Sequence, residues 1–148
     1  MSYTEREILL IEDSPDDSEL IQRALSSVPH KHTIAWVKNG QEALDYIFCE
    51  GPFSSRSPDE KPCLILLDLK LPKVNGLEVL EKIKSNSSTR TIPVVVISSS
   101  KEPKDLDKAY ELGVNSYVLK PINYKDFMRA TEQIGMYWLL VDEKVKSP

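Results

Sequence analysis

Short apolar runs alternate along the chain with longer stretches in which apolar positions recur every three or four residues. The runs fall at residues 8–11, 33–37, 64–67, 94–97 and 117–119, are mostly β-branched or aliphatic, and are bounded by polar or turn residues. That pattern predicts five buried strands. Between them Leu20, Ile21, Ala24 and Leu25 recur at helical spacing, as do Ala43, Leu44 and Ile47, then Leu77, Leu80 and Ile83, then Leu106, Ala109 and Tyr110, which predicts four helices. A fifth opens at Asn123, where Asp126 completes a capping box, and continues through Phe127, Thr131, Ile134 and Trp138. The order is (βα)5, an α/β chain expected to form a doubly wound five-stranded parallel sheet with right-handed crossovers. In such sheets ligands bind at the carboxyl ends of the strands.

At 148 residues the chain is sized for one domain, with a core expected over about residues 6–141 and only a short polar tail beyond it. Apolar residues make up 41% and charged residues 28%, and no apolar run approaches the ~20 residues that span a bilayer. The polar N-terminus leads straight into a strand without the apolar stretch of a secretion signal, so a cytoplasmic protein is expected. A net charge of −4 disfavours a nucleic-acid surface, which needs a clustered basic footprint. Lys101, Lys104 and Lys108 are interleaved with Glu102, Asp105 and Asp107, as on a solvated helix face. Cys49 and Cys63 lack a CxxC spacing and are expected as free thiols. The connection at residues 49–62, rich in Ser, Pro and Gly, is expected as a surface loop.

The residues that end the strands carry the chemistry. The first strand ends in Glu12 and Asp13, the third in Asp68, the fourth in Ser98 and the fifth in Lys120. Three carboxylates at one rim repel each other unless a cation or proton intervenes. A hard divalent ion with oxygen ligands is the natural compensator, magnesium fitting best and manganese also suiting. Lys120 adds a fixed positive charge and Ser98 a hydroxyl, both suited to the oxygens of a phosphoryl group in transfer. Each residue alone has a plainer role, since strand-end acids often cap helices. Ser14, Pro15, Asp16 and Asp17 read that way, as a cap, a first-turn proline and two dipole-compensating acids. The meeting of five such residues on four strand ends favours a phosphoacceptor site. His30 and His32 lie at the amino end of the second strand, away from this rim, and Cys63 is expected to begin a buried strand.

Glu12-Asp13, the segment from Asp68 to Pro72 with Gly76, Ser98, and Tyr117-Val-Leu-Lys120-Pro121 together resemble the receiver domain of two-component response regulators, over nearly the whole chain. The resemblance implies the flavodoxin-like receiver fold. It implies that the acid pair and Asp68 bind magnesium with the backbone carbonyl of Lys70, and that Asp68 is phosphorylated by a histidine kinase or phosphotransfer protein. Ser98 stands at the family's hydroxyl position and Tyr117 at its switch aromatic. Lys120-Pro121 stands at its Lys-Pro pair, usually joined by a cis bond. Gly76 matches the family's glycine, where Asn75-Gly76 would make a tight turn into the third helix. The 49–62 insertion and the aromatic segment Met136 to Leu139 resemble, within receivers, the single-domain regulators paired with phytochrome-type histidine kinases.

Three alternatives share parts of this pattern. A phosphohydrolase of the haloacid dehalogenase type also uses a strand-end Asp but needs a second Asp two residues on, where this chain has Lys70. A flavodoxin-like electron carrier would cradle phosphate in its first loop, which Glu12, Asp13, Asp16 and Asp17 would repel. A degenerate receiver would scaffold partners without phosphorylation, against which all five site residues are present. The receiver is not expected to be an enzyme on other substrates; it would catalyse only its own phosphorylation and dephosphorylation. Met128, Tyr137, Leu139 and Leu140 lie off the core-facing stripe of the fifth helix, which predicts a homodimer through that helix, the alternative being that this end folds back over the domain's own sheet.

Overall fold

Alternate residues of a strand face opposite sides of the sheet, and the first strand shows both sides at once. In β1 (Arg6–Ile11), Ile8 and Leu10 pack in one apolar cluster while Leu9 and Ile11 pack in another. The same alternation holds in β3 (Leu64–Leu67), where Leu64 and Leu66 join the first cluster and Ile65 and Leu67 the second, and in β4 (Val94–Ser98). The computed structural model describes residues 6–26 and 32–120 together with Lys125 and Arg129. Lys125 and Arg129 are helical; the rest of the expected fifth helix, including the residues proposed for a dimer contact, lies outside the described residues, as do His30 and Pro121.

With β2 (His32–Val37) and β5 (Ser116–Leu119), the strands form one parallel sheet in the order β2-β1-β3-β4-β5. The expected parallel sheet is present, but only the three central strands are buried almost throughout. β2 and β5 are its edges and stay partly exposed, because each has a neighbour on one side only. Helix α1 (Pro15–Leu25) covers one face with Ile21 and Leu25. On the other face lie α2 (Gly40–Ile47), α3 (Gly76–Ser85) and α4 (Pro103–Glu111), whose Ala43, Leu44, Val79, Leu80, Ile83 and Ala109 join the second cluster. Each fully buried Leu or Ile contributes about 1.5–3 kcal/mol relative to leaving it in water. No helix among the described residues is long and apolar enough to cross a membrane.

The stripe expected on α4 is only partly used. Ala109 is buried, whereas Leu106 and Tyr110 are 40% and 51% exposed. A helix of nine residues beside an edge strand meets its neighbours along a narrow line, and here that line runs through the smallest of the three side chains.

The 49–62 connection is ordered around Arg56. The guanidinium lies 3.7 Å over the Tyr46 ring, donates to the carbonyls of Tyr46 and Glu60, and pairs with Glu7 at 3.6 Å. Phe53, in a 3-10 turn at Gly51–Phe53, meets the Tyr46 ring edge-on at 5.0 Å. Cys49 and Cys63 are both free of disulfides and partly buried, and β3 begins one residue after Cys63.

Candidate functional site

The backbone ladder continues one residue past the strand ends and so locks the rim residues in place. Glu12 donates its amide to the Val37 carbonyl at 3.0 Å, Asp68 donates to Ile11 at 3.0 Å, and Lys120 donates to Ser98 at 2.8 Å. Rim side chains therefore start from rigid backbone. The chain then turns into α1 at Ser14, whose hydroxyl caps the helix by accepting from the Asp17 amide. The Ser14 amide donates to Glu12 Oε2 at 3.2 Å, and the Trp36 indole donates to the Glu12 carbonyl at 2.7 Å. Both ends of Glu12 are thereby fixed.

Four of the expected residues converge. Carboxylate oxygens of Glu12, Asp13 and Asp68 all lie within 4.8 Å of one another. Glu12 and Asp68 are buried and Asp13 is exposed, so the cluster opens to solvent on one side. Lys120 reaches into it, its Nζ lying 2.8 Å from Glu12 Oε1 and 2.9 Å from Asp68 Oδ2. The Lys70 amide folds back to donate to Asp68 Oδ1 at 3.1 Å, and the Lys70 side chain is exposed. Burial, with help from the Asp68 charge, raises the Glu12 carboxyl to about 7 although Lys120 opposes it. Burial alone would lower the Lys120 ammonium, but its bonds to Asp17, Glu12 and Asp68 outweigh that and hold it above its ordinary value.

Asp17 is a site residue that the sequence pattern assigns to dipole compensation alone. Its Oδ2 lies 2.7 Å from Lys120 Nζ, so Asp17 is the third acid on this lysine, beside Glu12 and Asp68. Its position alone hints at this, because Asp17 stands in the first turn of a helix whose cap, Ser14, directly follows the rim residue Asp13.

Ser98 is fully buried at the end of β4, beside the strand that carries Asp68, and its hydroxyl oxygen accepts from the Ser100 amide at 3.2 Å. Tyr117, next along the sheet, is half-buried and donates to the Ser100 carbonyl; burial raises its phenol above the usual range. Ser100 is a second residue that the sequence pattern does not single out. Gly76 stands where expected but for a different reason. Asn75 caps α3 with its side chain, and Gly76 is needed because a Cβ there would meet the Asp68 carbonyl oxygen and Leu69 Cα, each at 2.4 Å. The close packing of α3 against the end of β3, rather than a tight turn, requires glycine.

The chain belongs to the response regulator receiver domain family, which matches residues 8–132. It is thus a receiver of the two-component signalling class. It is similar to the probable methanogenesis regulatory protein FilR2 of Methanothrix harundinacea, with 44% identity over 89% of this chain and 83% of that protein. The crystal structure of the phosphorylated cyanobacterial phytochrome response regulator RcpA is 40% identical, over 92% of this chain and 95% of that one, with a TM-score of 0.86. The Mn(2+)-bound form of response regulator Rcp1 is 39% identical over 90% of this chain and 94% of its own, with a TM-score of 0.85. The expected kinship with phytochrome-associated regulators is thereby shown alongside the family itself.

Proposed function

We propose that this receiver accepts a phosphoryl group on Asp68 from a histidine kinase or phosphotransfer protein, and that the acceptor site uses a divalent metal. The observation that carries this reading is the placement of the Asp68 carboxylate. It is buried at the strand-end rim, with a lysine ammonium at 2.9 Å and a backbone amide at 3.1 Å.

The donor set fits a hard cation, being all oxygen, three carboxylates within 4.8 Å and one open side. Glu12, Asp13 and Asp68, with the Lys70 carbonyl, would hold magnesium or manganese; the related response regulator Rcp1 has a manganese-bound form. Bound there, the ion supplies charge neutralisation for phosphoryl oxygens. The protein's own residues do the rest. An Asp68 oxygen attacks phosphorus, the donor's phosphorus–nitrogen bond breaks, and an acyl phosphate forms. Lys120 and Ser98 offer donors to the new oxygens. Attack by water later cleaves the phosphorus–oxygen bond and restores the carboxylate. The incoming charge draws Ser98 and Lys120 inward, Tyr117 follows Ser98, and the α4–β5 surface changes, where Leu106, Tyr110 and Leu119 are exposed. A homodimer through the fifth helix is part of the same proposal, supported by the apolar residues off its core-facing stripe.

Incubation with acetyl phosphate and magnesium tests the reading. Intact-mass measurement should show one added phosphoryl group on the wild type and none on Asp68→Asn. Full labelling of that variant would refute the assignment.

A further inference from the structure

We infer that Asp17 is a positioning residue that holds Lys120 in the resting site and competes with the phosphoryl group for it. The inference rests on Asp68 being the phosphoacceptor. An ammonium has three N–H donors, and Lys120 has three carboxylate partners: Glu12 at 2.8 Å, Asp17 at 2.7 Å and Asp68 at 2.9 Å. A phosphoryl oxygen on Asp68 gains a donor from this lysine only as one of those contacts gives way.

Burial decides which contact is released most readily. The Glu12 side chain is 1% exposed, and losing the lysine would strand a charge in the interior. The Asp68 contact moves outward with the phosphoryl group that Asp68 then carries, and following it draws the ammonium away from its other two partners. Asp17 is 32% exposed and sits in the first turn of α1, where water and the helix N-terminus stabilise a free carboxylate. Release of Lys120 by Asp17 therefore costs least. Until it is released, Asp17 stabilises the empty site against the occupied one.

Removing the carboxylate should therefore favour the occupied state. The phosphoryl mimic beryllofluoride, titrated with magnesium present, should bind Asp17→Asn about threefold more tightly than wild type, the range of a partly exposed charge pair. Asp16→Asn is the control: it removes the same charge one residue away from an exposed side chain, and its affinity should equal that of wild type. In the metal-free protein, NMR should show the Lys120 ammonium protons exchanging faster in Asp17→Asn. Asp17→Ser repeats both measurements with a different side chain, and thermal unfolding verifies that each variant folds. Equal or weaker beryllofluoride binding by the Asp17 variants, unchanged proton exchange, or an equal gain in Asp16→Asn would each overturn the inference. Failure of the wild type to bind beryllofluoride would instead refute the phosphoacceptor reading, and this inference with it.

Discussion

The Tyr117 hydroxyl donates to the Ser100 carbonyl at 3.0 Å and so joins β5 to the loop that follows β4. Ser100 is held on two further sides, its amide donating to Ser98 Oγ at 3.2 Å and its hydroxyl to Asp105 Oδ2 at 2.6 Å. The aromatic ring, the buried hydroxyl and the first turn of α4 are one connected unit. Tyr117→Phe keeps the ring and removes the bond. It should destabilise the protein by about 1 kcal/mol, the usual net worth of one hydrogen bond, and reduce the amide shifts that beryllofluoride produces along α4. Wild-type shifts in that variant would show that the hydroxyl takes no part in the relay.

Asp13 and Lys120 should differ sharply in their effect on metal binding. Asp13→Asn removes a solvent-facing carboxylate of the cluster and should weaken magnesium or manganese affinity. Lys120→Ala removes a cation that shares the same oxygens, so affinity should hold or rise. Without metal, however, that variant leaves Glu12 and Asp68 buried without their counter-charge, and a loss of about 3 kcal/mol is expected in chelator. Denaturant unfolding with and without magnesium measures both effects. Weaker metal binding in Lys120→Ala than in Asp13→Asn would reverse the roles.

Glu12 should make the metal-free protein sensitive to pH near neutrality. Its carboxyl is raised to about 7 in the folded chain from an ordinary 4.5, chiefly by burial. Between those values the folded state binds more protons than the unfolded one, so its contribution is fully present below about 4.5 and is lost as pH rises through about 7. In chelator, Tm should fall between about pH 5.5 and about pH 8 by more in the wild type than in Glu12→Gln, which stays neutral throughout. Parallel profiles for the two proteins would contradict the assignment.

Gly76→Ala probes the join between α3 and β3. The added methyl meets main-chain atoms at 2.4 Å, which cannot rotate away as a side chain would. A loss of about 3 kcal/mol, at the upper end of overpacking costs, is expected by denaturant titration, together with slower phosphorylation, because the carbonyl it strikes belongs to Asp68. A fully stable variant would mean that α3 shifts freely.

Strand positions and most of the site are legible in the sequence because their signals are periodic or chemically distinct. Runs such as residues 64–67 are apolar throughout only where both sheet faces are covered, and an acid or lysine directly after such a run stands on the rim where ligands bind. Asp17 is hidden because acids in a helix's first turn are common for electrostatic reasons local to the helix. The contact that distinguishes it comes from Lys120, 103 residues away. Leu106 and Tyr110 mislead for the opposite reason, since helical spacing shows which residues share a face and says nothing of how much neighbour that face will meet. Turn chemistry marks the position of Gly76, whereas the close approach between backbones that demands glycine there leaves no trace in the sequence.

The strand order has a consequence for the chain as it is being made. Glu12 and Asp68 can come together once β1 and β3 have paired, but β5 joins the sheet only at β4, and Lys120 follows it. A partly synthesised chain, or one cut before residue 120, would hold a cluster of mutually repelling acids without this lysine among them. The charge-balanced site is therefore completed late in synthesis, when Lys120 joins the acids that β1 and β3 have already brought together.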